Sequence, residues 1–360
     1  MSNNSEGPRI AVFLPNWVGD AVMCTPALRT LRATIAHGRL IAVLRRYLMP
    51  LLAGSPWFDG FIASDYFWTA VAYLRREHVD TAVLFPNSIR SALMAWWGGC
   101  RRRIGYRRDG RSWLLTDSLD WPAMDRGQRL PYPMIWAYNR LVMQLGCPDP
   151  GVRMELFTQA QDEAQADSVW QRSGYGSNPV VALHPGAAYG SSKCWPAEHF
   201  VQLAKRLAQS GYGVLVLCGP RERHLAELIE AQADDPAVRG LHRENLHLGF
   251  IKACLRRVAL LVTTDSGPRH IAVAFDRPVI TLFGPTHIAW TETFHDKSLH
   301  LQAIVPCGPC QLRRCPLDHR CMRQLTPEDV LEQALRWLKR WHTAPKDRSE
   351  SGNLARAPAA

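Results

Sequence analysis

The chain has no long apolar segment and no apolar stretch at its start. None of its hydrophobic runs approaches the about 18–20 residues that a helix needs to cross a bilayer, so we expect no membrane-spanning segment. The first ten residues, MSNNSEGPRI, lack the apolar core of a secretory signal, so we expect a cytoplasmic protein. Its ten cysteines would then lie in a reducing compartment. Six scattered cysteines are expected to be buried thiols: Cys24, Cys100, Cys147, Cys194, Cys218 and Cys254.

Several common ligand-binding motifs are also missing. The chain has no G-x-G-x-x-G, no G-x-x-x-x-G-K-[ST] and no H-E-x-x-H, which removes the ordinary dinucleotide, P-loop and zinc-protease interpretations. No D-x-D triplet occurs, so a carboxylate-held Mg²⁺ on a nucleotide diphosphate has no obvious ligands. If a diphosphate leaves in a reaction, then helix N-termini, lysine and arginine must stabilise it instead. We therefore expect the reaction to use neither a metal ion nor a cofactor.

Lysine is absent before Lys193, so the first half carries its positive charge on arginine. With 43 Lys+Arg and 32 Asp+Glu, the formal net charge is +11, which favours an anionic partner such as nucleic acid, a membrane surface or a phosphorylated small molecule. Seven arginines and a single acid, Asp109, lie in residues 87–111. This run is either a solvated basic face or a surface for phosphate and carboxylate groups, which guanidinium binds in a bidentate manner. Three tryptophans in or next to it favour a lipid-phosphate or sugar-phosphate surface: Trp96, Trp97 and Trp113.

Short apolar runs alternate with helix-length amphipathic segments through both halves. The runs are residues 10–14, 40–44, 82–85, 180–183, 214–217, 260–263 and 279–283. Buried strands separated by helices predict βαβ units and parallel sheets. We therefore predict an α/β protein with two Rossmann-like parallel-sheet domains that face each other across a cleft. The expected bounds are 1–172 and 173–345, with a disordered tail at 346–360.

Two candidate sites come shortly after predicted strands. There they would lie at the carboxyl end of a parallel sheet, where α/β proteins bind ligands. Asp20 follows the first strand and is either a cleft carboxylate or a helix N-cap. Residues 264–270 (TDSGPRH) follow the strand at 260–263 and open a helix that Asp265 or Ser266 could cap. The free N–H groups and dipole at such a helix end suit a diphosphate. A well-capped structural helix is the alternative.

Two further loops of the second half carry candidate groups. Lys193 lies in the loop after strand 180–183 and could reach a phosphate as a point charge, although an isolated lysine is more often a surface residue. Glu222 follows strand 214–217 and could accept hydrogen bonds from a ribose diol. It could equally be the first-turn acid of a helix.

Four segments, in this order, resemble the motifs of glycosyltransferase family nine. They are residues 16–20 (NWVGD), 85–93 (FPNSIRSAL), 184–187 (HPGA) and 265–270 (DSGPRH). The resemblance extends from about residue 9 to residue 342. The tryptophan before Val-Gly-Asp and the Pro-Asn-Ser-x-Arg-Ser-Ala-Leu run are similar to the type II branch, and types I and III, which use other acceptors, are the alternatives. The resemblance implies a GT-B fold whose N-terminal domain binds acceptor and whose C-terminal domain binds ADP-heptose.

The activity implied by the resemblance is an inverting, metal-independent transfer of L-glycero-D-manno-heptose from ADP-heptose to heptosyl-Kdo2-lipid A in the lipopolysaccharide inner core. The protein would be peripheral at the cytoplasmic face of the inner membrane, with the anionic lipid A-core acceptor and no nucleic acid as partner. By the same resemblance Asp20 is the catalytic base and Lys193 contacts the diphosphate. The donor residues would be Glu222, Asp265, Ser266, Gly267 and His270, and the acceptor residues Asn87, Ser88 and Arg90.

Four cysteines lie close together in the sequence, at Cys307, Cys310, Cys315 and Cys321. A C-x2-C half-site is common in zinc proteins and His319 could substitute as a ligand, but the second pair is spaced more widely than in zinc ribbons. A metal site, a structural thiol loop and a disulfide pair are alternatives here. With the arginine run, the cluster also permits a basic, metal-containing nucleic-acid-binding protein, which would bind with a steep salt dependence. Two parallel-sheet domains would have no role in such a protein.

Overall fold

The computed structural model describes residues 7–35 and 37–341. It contains two six-stranded parallel sheets, one in each half of the chain. The apolar β-branched runs form the inner strands because parallel sheets are covered by helices on both faces. All seven strands predicted from the sequence are confirmed, to within one residue at each end. The predicted tail at 346–360 lies outside the described residues.

The first sheet and its helices form the first domain. Its strands are β1 (Arg9–Phe13), β2 (Arg39–Leu44), β3 (Gly60–Ala63), β4 (Thr81–Leu84), β5 (Arg102–Tyr106) and β6 (Asp117–Leu119), followed by a hairpin of β7 (Met124–Asp125) and β8 (Gln128–Arg129). Its helices are α1 (Val18–Met23), α2 (Thr25–Thr34), α3 (Met49–Leu52), α4 (Phe67–Arg76), α5 (Ile89–Trp97) and α6 (Met134–Met143). The chain breaks between α1 and α2 because Pro26 has no N–H to continue the first helix.

The second sheet and its helices form the second domain. Its strands are β9 (Val180–His184), β10 (Gly213–Val216), β11 (Val238–Gly240), β12 (Leu260–Thr264), β13 (Val279–Phe283) and β14 (Ser298–Gln302). Its helices are α7 (Ala160–Ser173), α8 (Ala197–Gln209), α9 (Arg223–Ala233), α10 (Leu248–Arg257), α11 (Gly267–Ala274), α12 (Arg320–Arg323) and α13 (Pro327–Trp341). Helix α7 is described with this domain because it packs on α10, where Glu163 pairs with Arg257, whereas the predicted bounds count it with the first domain. The boundary at 172/173 stays a prediction.

Both sheets have the same strand order. The first runs β3-β2-β1-β4-β5-β6 and the second runs β11-β10-β9-β12-β13-β14. In this doubly wound order the connections reverse direction next to the first strand of each sheet, and ligands bind at the carboxyl ends of the strands there. The reversal places the loops after β1 and β4 side by side in the first domain, and the loops after β9 and β12 side by side in the second.

The chain ends, within the described part, on helix α13. Thr326 caps it, since the N–H of Asp329 donates to Thr326 Oγ1 at 3.2 Å. Its buried residues are Pro327, Val330, Ala334 and Leu338. Within the described residues, no helix combines the length and apolarity that spanning a bilayer requires.

Candidate active site

Asp20 is the third residue of α1, close to the end of β1. Trp17, not Asp20, is the N-cap of this helix. The Asp20 side chain is partly buried, and the hydroxyl of Tyr138 donates a hydrogen bond of 2.9 Å to its Oδ1. Desolvation raises the pKa of Asp20 to about 6, although the bond from Tyr138 acts in the opposite direction. The carboxylate is therefore ionised at neutral pH and more basic than an ordinary aspartate, which suits a general base.

The N-terminal ends of α1 and α11 pack against each other between the two domains. A Cβ atom on Gly19 would lie 2.6 Å from Cδ2 of His270, and a Cβ atom on Gly267 would lie 2.7 Å from Cβ of Val18. No side chain fits at such distances, so this contact requires glycine at both positions. The two segments that the sequence placed in different domains, around Asp20 and around residues 265–270, therefore meet in the structure.

Asp265 is buried and comes immediately after β12, and its carboxylate accepts hydrogen bonds from other side chains of the protein. Its Oδ2 accepts hydrogen bonds from Lys193 Nζ at 2.6 Å and Thr286 Oγ1 at 2.8 Å, and its Oδ1 accepts one from Thr291 Oγ1 at 3.1 Å. Arg269 Nη1 is 3.6 Å from Oδ1. Burial alone would raise the pKa of Asp265, but the Lys193 and Arg269 cations hold it at about 2. Asp265 thus holds Lys193 in place, and both of its carboxylate oxygens are bonded to side chains of the protein.

His270 and Ser266 flank the start of α11. Burial, reinforced by the Arg269 cation, lowers the pKa of His270 to about 3, so its imidazole is neutral at physiological pH. Its Nδ1 has no hydrogen-bond partner among the described residues. Ser266 is the N-cap residue, but its Oγ lies 3.2 Å from His184 Nδ1 and makes no cap. The expectation that a side chain at 265 or 266 caps this helix is therefore wrong, because both side chains bond elsewhere.

Glu222 lies beside the loop that follows β9. Its carboxylate occupies the space that a Cβ atom on Gly186 would fill, and its Oε2 accepts a hydrogen bond of 2.9 Å from the N–H of Gly219. The Nε2 atom of His184 is 3.7 Å from the same oxygen. Burial alone would raise the pKa of Glu222, but His184 and the Gly219 N–H lower it to about 2. Glu222 therefore places an ionised hydrogen-bond acceptor beside the loops after β9 and β10.

The three expected acceptor residues lie at the start of α5. Ser88 caps this helix, with the N–H of Ser91 donating to Ser88 Oγ at 3.2 Å. Arg90 and Ser88 line a small pocket together with Asn16, four residues before Asp20. The pocket therefore lies between the start of α5 and the loop that leads from β1 into α1.

Asn87 is not among the residues that line that pocket, and its side chain accepts a hydrogen bond from Arg111. The fully buried Arg111 donates to Pro86 O at 2.6 Å and to Asn87 Oδ1 at 3.2 Å. Burial lowers the pKa of Arg111 to about 10. One member of the arginine run is therefore a structural residue that holds the loop after β4, and the basic surface is smaller than the sequence indicated.

The cysteines are all free thiols in this structure. Five of the six scattered cysteines are buried as expected, and Cys194 is partly exposed. Within residues 7–35 and 37–341, no three His, Cys, Asp or Glu side chains are arranged as a metal ion requires. Cys307 and Cys310 are exposed while Cys321 is buried. Burial raises the pKa of Cys321, and Cys315, Cys307 and Cys310 all raise it further, so the four thiols lie near one another.

The larger pocket of about 420 Å³ lies elsewhere in the second domain, against α7 and α9. Its charged groups pair with one another: Arg172 with Glu244 at 2.6 Å, and Arg239 with Glu230 at 3.7 Å. The sequence-predicted site residues are not among its lining residues. The predicted site residues around Asp20 and Asp265 lie instead near the contact between α1 and α11.

Sequence reasoning missed three side chains that contact the predicted site residues. Tyr138 is separated from Asp20 by 118 positions, and no local pattern marks it. Thr286 and Thr291, which bond Asp265, come shortly after β13. Their position beyond the end of the next strand was a signal that could have found them.

The chain is similar to known proteins over most of its length. The sequence model of glycosyltransferase family 9 (heptosyltransferase) matches residues 68–320. The chain belongs to glycosyltransferase family 9. This transferase is 29% identical to lipopolysaccharide heptosyltransferase 2 of Escherichia coli (strain K12), over 90% of the chain and 97% of the relative. It is 35% identical to lipopolysaccharide heptosyltransferase 3 of the same strain, over 76% of the chain and 81% of the relative.

A solved structure gives the same result for the fold. The structure of E. coli ADP-heptose lps heptosyltransferase II matches with a TM-score of 0.78 at 26% identity, covering 93% of this chain and 100% of that one. The predicted GT-B arrangement and glycosyltransferase class are thereby confirmed. Because the chain belongs to a glycosyltransferase family, the alternative of a nucleic-acid-binding protein is dropped.

Proposed function

We propose that this transferase moves L-glycero-D-manno-heptose from ADP-heptose to heptosyl-Kdo2-lipid A in the lipopolysaccharide inner core. The similarity to heptosyltransferase 2 of E. coli over 90% of the chain supports this acceptor. The similarity to heptosyltransferase 3 is higher in identity but covers only 76% of the chain. A type I or type III enzyme is the second candidate, and it differs in the acceptor alone.

The observation that carries the proposal is the meeting of Asp20 with the Lys193–Asp265 pair where α1 packs on α11. Both partners of that pair act on the pKa of Asp20, so the three groups are within electrostatic reach. In the proposed reaction the acceptor hydroxyl gives its proton to Asp20. Its oxygen forms a bond to the anomeric carbon while the bond from that carbon to the β-phosphate oxygen of ADP breaks. A single displacement from the opposite side inverts the anomeric centre.

The leaving ADP needs positive charge, and side chains near the start of α11 can supply it. Lys193 and Arg269 both face the carboxylate of Asp265, and the fully buried Arg269 is also acted on by Glu292, so Lys193 is the cation best placed to reach a ligand. The N-terminus of α11 adds its dipole. We propose that these groups stabilise the diphosphate without a metal ion. The neutral imidazole of His270 would donate or accept a hydrogen bond at the sugar or the phosphate. Glu222 would accept hydrogen bonds from the ribose hydroxyls.

The acceptor would bind on the first domain. Arg90 lines the pocket beside Asn16 and carries a charge that suits the phosphates and Kdo carboxylates of the acceptor. Because that acceptor is a lipid, we place the enzyme peripherally at the cytoplasmic face of the inner membrane.

The decisive experiment is incubation with ADP-heptose and defined acceptors, with the product read by mass spectrometry. We expect heptose addition to heptosyl-Kdo2-lipid A and none to Kdo2-lipid A, in the presence of a chelator as well as without it. The anomeric configuration of the product, read by NMR, tests inversion. Transfer to Kdo2-lipid A instead would favour the type I candidate.

The Asp20→Asn variant tests the assignment of the base. It should lose about 10²–10⁴-fold in turnover, which is the usual contribution of general-base catalysis. Binding of ADP and the unfolding temperature should stay close to those of the parent. Near-normal turnover in this variant would contradict the role given to Asp20.

A further inference from the structure

Five aromatic side chains, of which three are exposed and two are partly buried, form a continuous group at the surface of the first domain. Trp68 stacks near Trp97 with 5.3 Å between ring centroids, Trp97 contacts Trp96 at 5.8 Å, and Trp96 contacts Trp113 at 6.3 Å. Phe67 contacts both Trp68 and Trp97. We name this group of five the tryptophan face. Trp113 is 69% exposed, Trp68 66% and Trp96 46%, so large apolar rings are presented to solvent.

Arginine side chains border the tryptophan face. The guanidinium of Arg90 lies over the Phe67 ring at 5.1 Å, and Arg75 Nε donates to the carbonyl oxygen of Trp97 at 2.6 Å. Residues 65–113 contain eight arginines besides the buried Arg111, four acidic residues and no lysine. Arg101, just after α5, is exposed. The surface therefore combines rings that prefer a membrane interface with a net positive charge.

The tryptophan face adjoins the pocket proposed for the acceptor. Helix α5 carries Arg90 and Met94, which line that pocket, and Trp96 and Trp97 at its end. Seven residues separate Arg90 from Trp97, which is about 10 Å along a helix. A lipid-linked acceptor could thus have its sugars in the pocket while its acyl chains stay in a bilayer against the face.

We propose that the tryptophan face docks on an anionic phospholipid bilayer, with its rings at headgroup level and the bordering arginines on lipid phosphates. Charge complementarity selects this partner, since the rings alone would equally suit a protein surface. The inference rests on the proposed function, because a lipid acceptor gives the docking its purpose. To the proposed function it adds the surface of the enzyme that contacts the membrane.

The test is flotation of the full chain with vesicles. Vesicles of phosphatidylethanolamine and phosphatidylglycerol should bind the parent, and vesicles of phosphatidylcholine alone should bind it weakly. For the triple variant Trp68→Ser/Trp96→Ser/Trp113→Ser, the concentration of anionic lipid at half-maximal binding should rise at least about tenfold, because three interfacial rings are lost. The variant Arg75→Gln/Arg101→Gln should weaken binding mainly at low salt, by about fivefold for each charge.

A matched control removes three exposed apolar side chains outside the face. Met143→Ser/Leu228→Ser/Ile304→Ser should bind vesicles as the parent does, and all variants should keep the parental unfolding temperature. Equal binding by the control and the tryptophan variant would overturn the proposal, and so would a parent that fails to float. Loss of a parental oligomer in the tryptophan variant, with vesicle binding unchanged, would assign the face to a second copy of the chain instead.

A deacylated, water-soluble acceptor separates this inference from the proposed function. The tryptophan variant should transfer heptose to the soluble acceptor at the parental rate and should lose rate only with acceptor presented in vesicles. A parent that binds vesicles but gives no product with either acceptor would refute the proposed function and leave the docking surface standing.

Discussion

The hydrogen bond from Tyr138 to Asp20 sets how basic the proposed catalytic carboxylate is. This bond lowers the pKa of Asp20, which desolvation has raised to about 6. In Tyr138→Phe the lowering effect disappears, so the pKa of Asp20 should rise further, by about one pH unit for a bond to a charged group. Because the base must be ionised, the acidic limb of the pH profile of kcat/KM should move toward neutral pH. Rates well above pH 8 should change little.

Tyr106→Phe is the matched control for that variant. Its hydroxyl is also buried and donates to Ala137 O at 2.8 Å, without contact to Asp20. The pH profile of this variant should keep its acidic limb near pH 6. An unmoved limb in Tyr138→Phe, or an equal shift in both variants, would contradict the assignment of the limb to Asp20.

The close approach of Gly19 to His270 gives a second prediction. In Gly19→Ala the new Cβ would meet Cδ2 of His270 at 2.6 Å, so the contact of α1 with α11 must open. A displacement of about 1 Å between the base and the donor site can cost about 100-fold in rate. We expect kcat/KM to fall by 10-fold to about 100-fold, and the unfolding free energy by about 1–3 kcal/mol.

Gly60→Ala is the control, because the nearest atom to its Cβ would be Tyr73 Oη at 3.8 Å, an ordinary contact. Steady-state kinetics and thermal unfolding should leave this variant near the parent. A Gly19→Ala enzyme with parental kinetics would mean that the contact of the two helices is not needed for turnover.

The side chains of the site show what a sequence can and cannot place. Asp20, Asp265 and His270 lie where their motifs predicted, because residues just beyond a parallel strand must stand at the sheet edge. The engagement of Asp265 by Lys193 and two threonines could not be read from the sequence, since it depends on side chains of three separate loops. The catalytic and binding roles themselves stay predictions.

At the scale of elements, the irregular segment between β14 and α12 supports the loop that carries Lys193. Ser192 Oγ donates to Leu312 O at 2.5 Å, its N–H donates to Arg313 O at 3.2 Å, and its carbonyl oxygen lies 2.7 Å from His319 Nε2. The cysteine-rich segment therefore has a structural role as the support of this loop. It positions the short turn from which Lys193 extends to Asp265.

Ser192→Ala tests this support. The variant loses one buried hydrogen bond, worth about 1 kcal/mol, so we expect about a fivefold loss in kcat/KM for ADP-heptose. Because Lys193 is proposed to hold the diphosphate, the loss should be larger for the donor than for the acceptor. The adjacent exposed Ser191 provides the control, and Ser191→Ala should behave as the parent. A fall in unfolding temperature without any change in donor kinetics would limit Ser192 to a purely structural role.

The strands divide clearly into those that the sequence revealed and those that it did not. The seven predicted strands are the central ones plus β2, β10 and β13, whose residues are nearly all buried. The sequence analysis missed β3, β6, β11 and β14 because they are short or partly exposed and so lack an apolar run. It also missed β5, whose first two residues are partly exposed arginines. Strand prediction from apolar runs thus found the interior of each sheet and lost its edges.

At the scale of the whole molecule, the site exists only if the two domains keep their relative position. Besides the contact of α1 with α11, Trp136 of the first domain stacks on Phe294 of the second at 4.7 Å. A third link is polar: Lys252 on α10 is fully buried and its Nζ donates to Leu51 O at 3.0 Å and Ala53 O at 2.7 Å, at the end of α3. These links come from parts of the chain that are far apart in sequence, so no motif predicted them.

The Lys252 link gives a prediction for the stability of the whole chain. Burial lowers the pKa of Lys252 from 10.5 to about 8, so between these values the unfolded state binds more protons than the folded state. This contribution to stability is fully present above pH 10.5 and is lost as pH falls through 8. Lys252→Met leaves two carbonyl groups without their donor, so we expect about 1–3 kcal/mol lower unfolding free energy near pH 8. It should also abolish this part of the pH dependence.

Denaturant unfolding of the parent, Lys252→Met and the exposed-lysine control Lys205→Met, at pH 8 and at pH 10, checks both statements. The parent and the control should gain the same stability between the two pH values, and Lys252→Met should gain less. The shortfall measures the cost of keeping a cation at the domain junction, which is offset at pH 8 by its two carbonyl partners and by the charge of Asp162. If Lys252→Met gained as much as the parent, Lys252 would not be a buried titrating link, and the junction of α3 with α10 would be held by apolar packing alone.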